Sequence, residues 1–278
     1  MKNMLLAISF VAAGFVNAQV DDGLFEVEYE MNGQNLKSYA FVTNGCSSSI
    51  IYKSWENWVA NKEGTTTFLK KYEANNVKFK NSDDTYKSII SLVEEEDGKT
   101  TVINNLTDQN GMQFNDNSPE FDEIFLRLQD FSIQTKQACV RNELKLANEN
   151  MIRLTKENAD AQMKKGNSIK SYLNHNNTLL RLETKKQVLG EQYALLTDQL
   201  ERATEDKAID VIMKKKIKTE NTLKKIEDQV VLLNSKIETA EDYDQVLNSK
   251  INHLTNQIQQ QRKVTEDLKR KYTSITAQ

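Results

Sequence analysis

Proline occurs once in 278 residues, histidine twice, cysteine twice and glycine nine times, and each scarcity excludes something. The single proline, Pro119, leaves nearly the whole chain open to long helices, because proline inside a helix removes a hydrogen bond and clashes with the turn before it. His175 and His253 both lie in hydrophilic, helix-compatible contexts, and neither belongs to a metal spacing or a nucleophile motif. A phosphate-cradling lysine loop, a dinucleotide-binding glycine fingerprint and a serine elbow are all missing. The expectation is therefore a non-enzymatic protein with no cofactor and no metal.

Long hydrophobic runs are also scarce. The one at Leu5 to Val16 follows Lys2 and ends at the small residue Ala18, before Gln19. About a dozen apolar residues is short of the ~20 that a membrane span needs, so this stretch reads as a cleavable export signal over residues 1–18. No transmembrane segment is expected after processing. The chain is expected to be exported, to the periplasm or the cell exterior.

Charge of one sign is absent from the whole but not from its parts. Residues 19–118 carry 9 Lys and Arg against 16 Asp and Glu, a net of 9 − 16 = −7, while residues 119–278 carry 27 against 24, a net of +3. An acidic N-terminal part on a nearly neutral remainder gives no footprint for nucleic acid, so none is expected as a partner. Nor does it supply a polybasic membrane patch. Cys46 and Cys139 could close one bridge in an exported protein. They could equally be two separately buried thiols, one in a loop and one well along a helix, and this second reading is the one expected.

What is present divides at about residue 115. Over residues 19–115 the pattern has period two. Phe25, Val27, Tyr29 and Met31 alternate with Glu26, Glu28 and Glu30, and Asn32-Gly33 signals a tight hairpin into a return strand from Leu36 to Thr43. Ser47, Ser48 and Ser49 offer N-caps for a helix carrying Ile50, Ile51, Trp55, Trp58 and Val59. Strand patterns follow at Thr65 to Tyr72, Val77 to Lys80, Tyr86 to Glu94 and Lys99 to Asn104. Together they predict a small antiparallel sheet domain with one packed helix. The two tryptophans, at i and i+3, are expected in its core and not in a ligand groove. Glu94 to Asp97 has no calcium-loop spacing and reads as a solvated turn.

Residues 118–278 have helical periodicity. Ser118 and Pro119 mark a helix start, and Phe121, Ile124, Phe125, Leu128 and Phe131 form a bulky stripe suited to docking on the sheet. Smaller seam residues follow at Val140, Leu144, Ala147, Met151, Leu154, Asn158 and Ala161. After Gly166-Asn167-Ser168 a second run takes in Leu182, Leu189, Tyr193, Leu196, Leu200 and Ala203. A third seam steps three and four residues through Ile209, Ile212, Leu223, Ile226, Val230, Leu233, Ile237, Leu247, Ile251, Leu254, Ile258 and Leu268, without glycine or proline. Fifteen of its twenty positions from Ile209 to Ile275 are apolar, so it needs a partner helix. A fold-back near 202–207, pairing residue i with about 408 − i, satisfies both arms within one chain. In that arrangement 166–168 is a kink or local break. The rival turn at Gly166-Asn167 leaves unequal arms, and a parallel oligomer through the third seam stays open.

The fold class expected is thus α+β: a small N-terminal sheet domain followed by a long coiled-coil helical hairpin. The function expected is that of an exported structural or interaction protein, with a protein partner or self-association through the coiled coil. In outline a β-rich body with helical-hairpin arms resembles the trimeric Skp-type chaperones. The resemblance implies a periplasmic holdase as an alternative, although here the sheet domain precedes the hairpin and is acidic. An envelope-tethered adhesin stalk is the third reading.

Overall fold

The computed structural model describes residues 23–31, 33–60, 66–70, 72–79, 84–118 and 120–277. The expected cleavage site at Ala18 and Gln19 lies outside them. Six antiparallel strands are followed by two long helices packed against each other. The elements are β1 (Phe25–Met31), β2 (Gln34–Asn44), α1 (Ser48–Val59), β3 (Thr67–Lys70), β4 (Glu73–Lys78), β5 (Thr85–Glu94), β6 (Lys99–Thr107), α2 (Phe121–Arg202) and α3 (Asp206–Thr276). The sheet order is β1-β2-β6-β5-β4-β3. The chain divides into two compact units, one of residues 1–147 with 265–278 and one of residues 148–264.

In the first unit the period-two pattern places alternate residues on opposite faces of the sheet. Gly33, at φ +79, supplies the left-handed conformation that the β1–β2 turn requires. One strand differs from expectation. The stretch read as Thr65 to Tyr72 ends at Lys70, and the next strand begins at Glu73 instead of Val77. A register shift between Ala74 and Val77, with Asn76 at φ 56, absorbs an extra residue there and breaks the alternation that marks a strand in sequence.

One face of this sheet is roofed by α1 and by the start of α2. Phe41, Ile90, Val102 and Leu106 from the strands, Ile51, Trp55 and Val59 from α1, and Ile124, Leu128 and Phe131 from α2 form a single buried cluster. The five-residue stripe docks as its spacing predicts, with Phe121 and Phe125 half-buried at the cluster's edge. Trp55 lies in the core and Trp58 is half-buried against it, and both indoles are satisfied. Trp55 Nε1 donates to Ser88 Oγ at 3.0 Å, and Ser88 Oγ donates to Asn104 Oδ1 at 2.9 Å. Trp58 Nε1 donates to the Arg127 carbonyl at 3.0 Å while its ring stacks on Phe131 at 5.1 Å. Burying these polar atoms in hydrogen-bonded chains avoids the desolvation cost that an unpaired indole N–H would carry.

The two cysteines are bridged, contrary to the expectation of separate thiols, with Cα atoms 5.1 Å apart. The docked stripe explains this. It lays α2 along the sheet so that Cys139, about two turns beyond Phe131, arrives beside the β2–α1 loop that carries Cys46.

In the second unit α2 and α3 run antiparallel, joined through Ala203, Thr204 and Glu205. Neither glycine nor proline makes this link. It is closed by Glu205, whose carbonyl accepts from the backbone of Ala208 and Ile209, each at 3.0 Å. Arg202 in the last turn of α2 and Asp206 in the first turn of α3 have the charges that those helix ends favour. The break expected near 166–168 does not occur, because α2 is continuous from Phe121 to Arg202. Gly166 is exposed, and Lys165, Ser168, Tyr172 and His175 carry the seam through as half-buried residues. A glycine on the outer face costs a helix only about 1 kcal/mol, which the flanking seam offsets.

Candidate interaction surfaces

All twenty positions of the third seam, from Ile209 to Ile275, are buried or half-buried, and nearly every residue between them is exposed. In the second unit the contact is tightest where Leu154, Ala161 and Leu254 close a buried cluster with Ile251 and Ile258 packed against it. Direct partners give the register. Gln137 reaches Thr276, Arg141 reaches Tyr272 and Lys186 reaches Glu227, each pair of numbers adding to 413. Asn150 with Gln261 adds to 411. The expected total is 408, and side-chain lean accounts for about two positions of the difference. Helical side chains lean toward their own N-terminus, so in an antiparallel pair each side chain meets one that starts a position or two further along its helix.

The seam is therefore occupied, and among the described residues a further apolar surface lies on the sheet of the first unit. The pairing register puts Phe25, Val27 and Tyr29 of β1, Leu36, Ser38, Ala40 and Val42 of β2, Thr101, Ile103 and Asn105 of β6, and Ile89, Ser91 and Val93 of β5 on the face opposite α1. Ala40 and Ile103, in the middle, are buried. Phe25, Val27, Tyr29, Leu36, Val42, Ile89 and Val93 are half-buried. Among the described residues no helix covers this face, since every ring contact and the buried cluster lie on the other side.

Three features bound that face. Asn105 is buried and donates to the Lys37 carbonyl and Ser38 Oγ, both at 3.3 Å, so the sugar-acceptor pattern Asn105-Leu106-Thr107 is unavailable in the folded protein. Strand β1 is an edge of the sheet, leaving one row of its backbone donors and acceptors unpaired with other strands. Glu26, Glu28 and Glu30 alternate with the apolar residues of β1 and so stand exposed on the α1 side of that edge, with one salt bridge from Lys37 to Glu26 at 3.5 Å.

Tyr39 is pushed up to about 12 by burial first and then by the charges of Glu26 and Asp116. Tyr86 is raised by burial and by its hydrogen bond to Glu120 Oε2 at 2.9 Å. Both phenols are thus held neutral as packing groups. Near the Glu94 to Asp97 turn, Asp97 is held below the usual carboxylate range by Lys99. Among the described residues no group of His, Cys, Asp and Glu is arranged to hold a metal. The two histidines are far apart in the fold: His175 sits opposite Ser235 and Lys236 in the second unit, and His253 is exposed beside Leu254. Among the described residues no helix is long and apolar enough to cross a membrane. No protein family model, no curated protein and no solved structure matches this chain.

Proposed function

We propose that the chain is an exported interaction protein that works by binding and not by turnover. Its sheet unit recognises a protein partner, and its helical hairpin acts as spacer and docking surface. The observation that carries this reading is the uncovered apolar face around Phe25, Val27, Tyr29 and Leu36, since contiguous apolar surface on a folded domain marks an interaction site. The Cys46–Cys139 bridge supports export, because such bonds persist in oxidising compartments. A photo-crosslinking residue in place of Val27 or Tyr29, introduced in the native cell, is expected to trap one protein partner. The same residue in place of Lys53, exposed on α1, is expected to trap none, and equal capture at all three positions would remove the assignment.

A second reading, the periplasmic holdase, has its own support in apolar side chains left outside the seam. Ile152 and Val231 are each 70% exposed. Suppression of aggregation of an unfolded outer-membrane protein by the hairpin-bearing chain would favour it over specific recognition.

A further inference from the structure

Charge in the second unit is sorted by side, although its sum is nearly neutral. Each residue just before a seam position lies on one flank of the helix pair, and each residue just after lies on the other. The antiparallel pairing brings the "before" residues of both helices together, as the groove lined by Lys164, Ser171, His175, Lys236, Thr239 and Tyr243 demonstrates. From Lys164 to Gln199 on α2, and from Val211 to Val264 on α3, this flank carries no Asp or Glu. It does carry Lys164, Arg181 and Lys185 on α2. On α3 it carries Lys215, Lys218, Lys225, Lys236 and Lys250. All eight are exposed and none forms an ion pair. The opposite flank has the reverse bias over the same length, with Glu183, Glu220, Glu227, Glu238 and Glu241 against Lys224 and Arg262.

The basic flank is a line, not a spot. Lys215 and Lys250 are 35 residues apart on one helix, on the order of 50 Å at ~1.5 Å per residue, so the eight cations average about one per 7 Å, with Lys164 level with Lys250 and none between Lys236 and Lys250. A folded acidic domain would touch only part of such a row, whereas an extended polyanion can follow it. Between the cations stand hydroxyl and amide side chains, among them Asn167, Ser171, Thr178, Gln229 and Thr239. Midway along, small seam residues Ser168 and Ala240 open the groove, of about 520 Å³. Within it Ser171 Oγ lies 3.3 Å from His175 Nε2, and Tyr243, 47% exposed, offers a flat ring between Lys164 and Lys236. Tyr243 is the only aromatic residue on the flank, so the ladder of stacking platforms that single-stranded nucleic acid uses is missing. A long row of cations, interleaved with hydroxyls, amides and exposed apolar residues such as Leu232 and Val246, and one ring that a pyranose can lie against make a different set.

We propose that this flank binds an extended acidic polysaccharide, its carboxylate or sulfate groups on the lysines and one sugar ring over Tyr243. Binding is tested with the full chain by calorimetry at about 50 mM and about 200 mM salt, with polygalacturonate and dextran sulfate as ligands. Neutral dextran and a single-stranded oligonucleotide of matched charge serve as comparisons. Both acidic polymers are expected to bind and to weaken steeply with salt as counterions are released, and neutral dextran is expected not to bind. A triple variant, Lys164→Gln, Lys236→Gln and Lys250→Gln, is expected to lose about tenfold or more in affinity at the lower salt. A variant with equal charge loss elsewhere, Lys224→Gln, Arg262→Gln and Lys263→Gln, is expected to stay within about twofold. All six positions are exposed, and helical circular dichroism checks that both variants fold. The proposal is overturned by no binding of either acidic polymer at low salt, by equal losses in the two variants, or by tighter binding of the oligonucleotide.

Discussion

Phe131 shows how one side chain ties the chain's two kinds of structure together. It is 1% exposed, meets Phe41 edge-on at 5.3 Å and stacks under Trp58, so strand, short helix and long helix converge on it. Phe131→Ala is expected to cost about 3–5 kcal/mol, the usual range for emptying a buried aromatic site, measured by urea unfolding. Cys46→Ser with Cys139→Ser removes a link that closes 93 residues of chain. Removing it is expected to lower stability by about 2–5 kcal/mol, and reducing agent is expected to lower the wild type, but not the variant, by the same amount. The raised phenols of Tyr39 and Tyr86 fix the sign of the alkaline response. Unfolded tyrosines lose their protons near pH ~10 while these two keep theirs. The native state then binds more protons, so their contribution is fully present below pH ~10 and is lost as pH rises toward about 12. Denaturant midpoints measured between about pH 9 and about pH 11.5 should fall, and Tyr39→Phe should flatten the fall.

At the scale of elements, the sequence makes most of this fold readable and conceals a few connections. Helix periodicity, the Ser118 start and the aromatic stripe locate α2 and its docking residues, because those signals are local. The Cys46–Cys139 bridge is not local: it depends on where a docked helix carries a residue eight positions past Phe131. The basic flank was hidden for another reason. Net charge sums over all sides of a helix, whereas a ligand meets one side, and projecting the charges onto the heptad frame would have exposed the segregation. The uninterrupted passage of α2 through Gly166 corrects the expected break and leads to a prediction. A Cβ at Gly166 would meet nothing within 4 Å, so Gly166→Ala is expected to stabilise the protein by about 0.5–1 kcal/mol. A loss of stability there would mean that the chain uses glycine's freedom at that point.

For the whole molecule, what matters is that the partner for the long C-terminal seam comes from the same chain. Twenty seam positions are buried or half-buried within the one chain, so the recognition we propose rests on the open sheet face and on the charged flank. The most direct measurement is a distance between spin labels at Lys156 and His253, both exposed and far from the 203–205 link. In-chain antiparallel pairing predicts a separation of roughly 10–25 Å, one interhelical spacing plus the labels, unchanged when labelled protein is diluted with unlabelled chain. A parallel association of separate chains would place the two labels of one chain on the order of 140 Å apart along a helix; the short distance would then be absent, or would vanish on dilution, and the hairpin would be contradicted.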